Sequence, residues 1–253
     1  MELTRLNRNV RILNWAAFVT ISIALLIVFF YAPTERTMGN VQRIFYFHVG
    51  AAWVGAVAFF VALVAGAVYL RRPSKKWDTV AVASVEIGLV FLTMAIVAGS
   101  VWGKPAWNTW WNWSSVRLTT ITIAWLTYAA YFMLRGAIED EEKRGRFAAV
   151  YVIAAFVTIL LSYLSIRFVN DLLHPVVVGG TAEALEGQAA ESLQEFAPGV
   201  ESTRMVISLN ASVIAFSFLY AAWMVNRIRL QRFMDEAANL KMRVVARLQG
   251  ELS

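Results

Sequence analysis

Four stretches of this chain, residues 12–34, 49–70, 147–166 and 205–226, each run for at least 20 residues without a charged side chain. At 1.5 Å of rise per residue, 20 helical residues cover about 30 Å, the hydrocarbon thickness of a bilayer. Residues 79–101 form a fifth run, interrupted only by Glu86, and 118–134 a shorter sixth. In lipid every backbone N–H and C=O must be satisfied within the structure, which admits only helices and closed barrels. None of these runs alternates with a period of two, so the expected fold is all-α: an integral membrane bundle of six transmembrane helices. The first run is too long for a signal-peptide core and has no A-x-A site behind it, so it is expected to remain as a span.

Charge supports this reading. Only 16% of residues are charged, against about one-quarter in soluble domains. The net charge of +6 does not suggest nucleic acid, because the cations cluster between apolar runs instead of lining one face. The N-terminus, the second and fourth loops and the tail hold 17 of the 23 Lys and Arg residues. The positive-inside rule therefore puts both termini in the cytoplasm and turns the first, third and fifth loops outward. The expected organisation is a membrane domain over 1–226 and a cytoplasmic amphipathic tail over 227–253. That tail is expected to continue the last span as an amphipathic helix, lying on the membrane surface or else docking a cytoplasmic partner. The fifth loop, about 168–203, carries six acids with Gly179-Gly180 and Pro198-Gly199, which suggests a partly structured flap with a helical portion near 182–196. The chain has no cysteine, so disulfides and thiolate sites are excluded.

The chemistry-bearing residues gather on the outward side. Five of the ten tryptophans fall in WGKPAWNTWWNW, residues 102–113, more than a belt of interfacial anchors requires. The chain has two histidines, His48 in RIFYFHVGAAW and His174 in NDLLHPVVVGG, and parity of the spans places both at the outer face. A lone interfacial histidine is usually a hydrogen-bonded structural residue. Two at matching depth suit the axial positions of a haem iron, and they are too few for structural zinc. A porphyrin also needs aromatic platforms and cations for its carboxylates. Trp102, Trp107, Trp110, Trp111 and Trp113 supply the first, and Lys104, Arg117 and Arg43 are candidates for the second. No acid lies between Glu86 and Glu139 to neutralise Arg117. If the tryptophan segment were helical, Trp107, Trp110 and Trp111 would share one face as a haem shelf, leaving Trp113 for partner docking. The competing reading of the segment is an interfacial anchor. Glu86, inside a span, is expected to snorkel to the cytoplasmic end or to hydrogen-bond Ser84 or a neighbouring helix, in preference to serving a proton relay.

WGKPAWNTWWNW followed by RLT resembles the tryptophan-rich WWD signature of haem-handling proteins, most closely the CcmC family of cytochrome c maturation. QRIFYFHVGAAW resembles that family's first histidine segment and the stretch ending in LLHP its second, so the resemblance covers about 1–226. It implies an inner-membrane, multi-pass protein that binds b-type haem transiently at the outer face between His48 and His174. It further implies delivery of that haem to the chaperone CcmE, in company with an ABC-type complex of CcmA and CcmB and the small subunit CcmD. Such a protein delivers haem and is not by itself an enzyme. The chain departs from the pattern in one place: in Trp113-Ser114-Ser115-Val116-Arg117 a serine stands where the family has Asp directly after the last tryptophan, and one extra residue precedes the arginine. The alternatives are a bis-histidine redox cytochrome, which would favour a second ligand pair near the inner face, a haem transporter proper, or a solute transporter with polar midplane positions.

Overall fold

The computed structural model describes residues 2–35, 38–168 and 203–248. Six helices account for nearly all of them: α1 (Glu2–Leu26), α2 (Gln42–Arg71), α3 (Lys75–Trp107), α4 (Val116–Gly136), α5 (Glu141–Phe168) and α6 (Thr203–Leu248). Among the described residues there is no strand beyond an isolated bridge between Glu35 and Gly39. A π-helical turn, Ile27–Tyr31, ends α1.

Five helices are long and apolar enough to cross a membrane: α1, α2, α3, α5 and α6. Their lipid-side residues include Trp15, Phe18, Trp53, Phe60 and Leu161, all exposed in the isolated chain. Such apolar surface would be untenable in water and is ordinary against acyl chains. The chain is therefore a multi-pass membrane protein. α4 does not join the five. Its 21 residues are sufficient in length, but four threonines lower its hydropathy. Three of them return their hydroxyls to carbonyls one turn back, Thr120 to Val116, Thr122 to Leu118 and Thr127 to Ile123, while Thr119 donates to Trp113.

The centre of the bundle is α2 against α3, with α5 and α6 on either side of α2, α4 against α5, and α1 on the outside of α6. α2 builds this centre from small residues at helical spacing: Ala51, Val54, Ala58, Ala62 and Ala65 are buried, whereas Trp53, Phe60 and Val64 face outward. Phe59 of α2 stacks on Tyr128 of α4, both fully buried, with centroids 3.7 Å apart.

One boundary differs from the sequence reading. α3 does not stop near residue 101 but continues through Trp102, Gly103 and Pro105 to Trp107. The tail continues the last span, as the sequence reading has it: residues 227–248 belong to one 46-residue α6, and Phe233, Leu240 and Leu248 stand exposed beyond the bundle. The flap near 182–196 lies outside the described residues.

Glu86 finds its partner on α6: Arg227 donates to its two oxygens at 2.5 and 2.9 Å. Arg227 also donates to Gln231, Gln231 to Asp235, and Asp235 pairs with Lys75 at 3.0 Å. One helix end away, Arg135 of α4 donates to both oxygens of Asp78 at 2.6 and 2.8 Å. Ser84, one candidate partner for Glu86, is engaged elsewhere, by the Ala58 carbonyl and Tyr220.

Candidate functional site

Antiparallel packing brings the start of α2, the end of α3, the start of α4 and the end of α5 to the same end of the bundle. They enclose a cavity with about 730 Å³ of empty space, part of it open to solvent. Leu92, Ile96, Leu118 and Ile121 give it an apolar lining, together with Trp102, Trp107, Trp110 and Trp111. His48 from α2 and Arg117 from α4 are its charged or basic groups, and Tyr163 comes from α5.

The orientation of His48 is set by α3. Its Nδ1 lies 2.8 Å from the carbonyl oxygen of Ala95. A carbonyl can only accept, so Nδ1 carries the proton and Nε2 of the neutral ring keeps its lone pair. The ring can lie this close to α3 because residue 99 is glycine. A Cβ there would meet His48 Cε1 at 2.8 Å and Nδ1 at 3.0 Å. One turn on, Gly103 gives the same room to Trp107, whose ring would sit 3.2 Å from an added Cβ. Trp102 packs edge-on against Trp107, centroids 4.9 Å apart, and lies tilted against Phe45 at 5.5 Å.

Arg117 projects from the first turn of α4. It donates to the Ser162 carbonyl at 3.2 Å and lies 5.3 Å from the centre of the Tyr163 ring. Tyr163 donates its hydroxyl to the Ala52 carbonyl at 2.7 Å, tying α5 to α2 beside the cavity. The buried indole N–H groups of Trp102 and Trp111 have no hydrogen-bond partner among the described residues. A buried donor left in this way costs about 1–3 kcal/mol, which is recovered when an acceptor arrives.

The tryptophan segment is not one helix. α3 ends at Trp107, and Asn108 takes a left-handed conformation with φ 55° that terminates it. Residues 108–115 are therefore irregular, and the shared helical face does not exist. The turn nonetheless folds Trp110 and Trp111 back beside Trp107, so all three line the cavity. Trp113 does not line it; it is 68% exposed and touches Trp111 edge-on at 5.9 Å. Lys104 caps the helix end, donating to the backbone and side-chain oxygens of Asn108. Ser115 is the N-cap of α4, accepting from Leu118 N–H, a role that serine shares with aspartate.

Two sequence-derived residues fall elsewhere. Arg43 is five positions before His48, about 140° away around α2, and lines a separate groove with Phe29 and Phe30 of the first helical segment. His174 lies outside the described residues. Sequence reasoning did not single out Gly99, the Ala95 carbonyl or Tyr163, because their roles depend on contacts between helices distant in the chain.

Residues 2–243 match the family described as "Heme exporter protein C". Proteins bearing that name are 32% identical over 167 residues in Rhodobacter capsulatus and 32% over 157 in Escherichia coli K12. These matches cover 65% and 62% of this chain, and 69% and 64% of the relatives. A ccmC-like mitochondrial protein of cytochrome c biosynthesis from Marchantia polymorpha is 26% identical over 164 residues, 65% of this chain and 68% of its own. With its helical membrane architecture and a match along nearly its whole length, the chain belongs to the Heme exporter protein C family.

Proposed function

We propose that the protein binds b-type haem transiently in the α2–α5 cavity and delivers it to the haem chaperone CcmE. The observation that carries this reading is the fixed tautomer of His48. Its hydrogen bond to Ala95 leaves Nε2 available as an iron ligand in a cavity walled by indoles. The rest of the donor set fits haem as cargo. Trp102, Trp107, Trp110 and Trp111 offer π-surfaces, while Arg117 and the indole N–H groups of Trp102 and Trp111 offer donors to propionates. His174 is the second ligand in this reading. It follows by six positions the end of α5, the helix that contributes Tyr163 to the cavity.

α4 is counted as a sixth span, which puts both termini in the cytoplasm of an inner-membrane protein and the cavity at its outer face. Trp113, exposed and off the cavity, meets the chaperone. CcmA, CcmB and CcmD form the surrounding complex. The protein itself turns nothing over: it holds haem, shields one face and exposes an edge.

The test is a set of single Trp→Leu variants scored separately for bound haem and for haem delivered to CcmE. The cavity variants Trp107→Leu, Trp110→Leu and Trp111→Leu lose both together, each loosening haem several-fold for about 1 kcal/mol of lost stacking. Trp113→Leu keeps haem and fails to deliver it. If all of them retain haem and delivery, the segment is only a membrane anchor and the reading is wrong.

A further inference from the structure

At the opposite end of the bundle a second groove, open to its surroundings, lies between α1 and α6. Val10, Trp15 and Phe18 form its apolar part, and Arg11, Asn14 and Arg229 its polar part. No carboxylate lines it, and among the described residues neither arginine takes part in an ion pair. By contrast, Arg135, Arg144 and Arg227 at the same end each face an acid. The Nε of Arg229 is buried without a hydrogen-bond partner, and its guanidinium lies 5.1 Å from the centre of the Phe233 ring. Asn14 accepts from Asn226 through Oδ1, which leaves its own amide N–H groups as further donors.

Depth identifies the occupant. The α1 span begins at Val10, so Arg11 sits at the membrane boundary, and Trp15 and Phe18 are 63% and 62% exposed one and two turns deeper. Two guanidiniums sharing a groove at a low-dielectric boundary need a counter-charge, and a phosphodiester accepts the planar fork of arginine in bidentate fashion. Acyl chains are the only abundant apolar partners beside Trp15 and Phe18 at that depth. From this charge complementarity we infer that the α1–α6 groove is a binding site for one anionic phospholipid, its phosphate held by Arg11 and Arg229 and its chain laid along Trp15 and Phe18. The site would stabilise the seam between the first and last helices, far from the His48 cavity, and does not depend on what that cavity binds.

Native mass spectrometry of the full chain, delipidated in detergent and titrated with dioleoyl phosphatidylglycerol or dioleoyl phosphatidylcholine, tests it. The wild type is expected to retain one phosphatidylglycerol in preference to phosphatidylcholine, with a preference of about five-fold per arginine. Arg11→Gln/Arg229→Gln loses the preference. Arg11→Lys/Arg229→Lys, which keeps the charge and guards against a folding defect, retains part of it. The charge-matched pair Arg232→Gln/Arg243→Gln on the tail retains all of it. Equal retention of the two lipids by the wild type overturns the proposal. So does an undiminished preference in Arg11→Gln/Arg229→Gln, or an equal loss in the tail variant, which would mean diffuse surface charge.

Discussion

At the scale of single residues, the candidate site depends on a glycine. Gly99→Ala would place a methyl group 2.8 Å from His48 Cε1, so the imidazole must tilt away from Ala95 and lose the bond that orients it. Groups that orient a metal-binding histidine are commonly worth ten-fold or more, so haem affinity is expected to fall about ten-fold. Alanine is the better helix former by about 1 kcal/mol. A lower haem content with an unfolding temperature held within a few degrees therefore isolates the position of the ring, and unchanged haem content would show that the ring has room. Arg117→Gln tests the other polar group. It removes the guanidinium from the cavity and its bond to Ser162. Haem should leave roughly ten-fold faster, measured by transfer to apomyoglobin, without change in axial ligation. His48 was legible because histidine is so rare in this chain. Gly99 was not, since its partner is 51 positions earlier and nothing local marks it.

At the scale of elements, α3 is the organising helix. Its far end orients His48 and Trp107, and its near half is clasped by two arginines, Arg135 from α4 and Arg227 from α6. Removing one member of a partly buried ion pair leaves a charge within a span. Arg227→Ala is therefore expected to destabilise the protein by about 2 kcal/mol, seen as a lower unfolding temperature in detergent. Glu86→Gln/Arg227→Gln, which removes both charges, should recover part of that loss; additive single effects would mean that the pair contributes nothing. Reading the apolar runs located the cores of all six helices but misplaced the end of α3. α3 extends through Gly103, Lys104 and Pro105, where hydropathy falls while helical hydrogen bonding persists. The α6 tail extends the span because no glycine or proline interrupts residues 203–248. Hydropathy reports the solvent around a helix, and helix ends answer to capping, which here is set by Asn108.

At the scale of the whole molecule, the bundle separates two kinds of chemistry. One end gathers an imidazole, four indoles and one guanidinium around a largely apolar cavity, and the other gathers the ion pairs and the exposed cationic tail. Alternating apolar and charged segments announced that polarity, because antiparallel spans must bring alternate loops together. The cavity itself was only partly announced: the tryptophans were visible as a cluster, whereas the turn at Asn108 that folds Trp110 and Trp111 onto it was not. The central claim is that His48 is an iron ligand in this cavity, and the most direct measurement is the optical and resonance Raman spectrum of the haem-loaded protein. The wild type should be six-coordinate and low-spin. His48→Ala and His174→Ala should each lose the haem or turn five-coordinate while still inserting in the membrane. A six-coordinate, low-spin spectrum indistinguishable from wild type in His48→Ala would contradict the account.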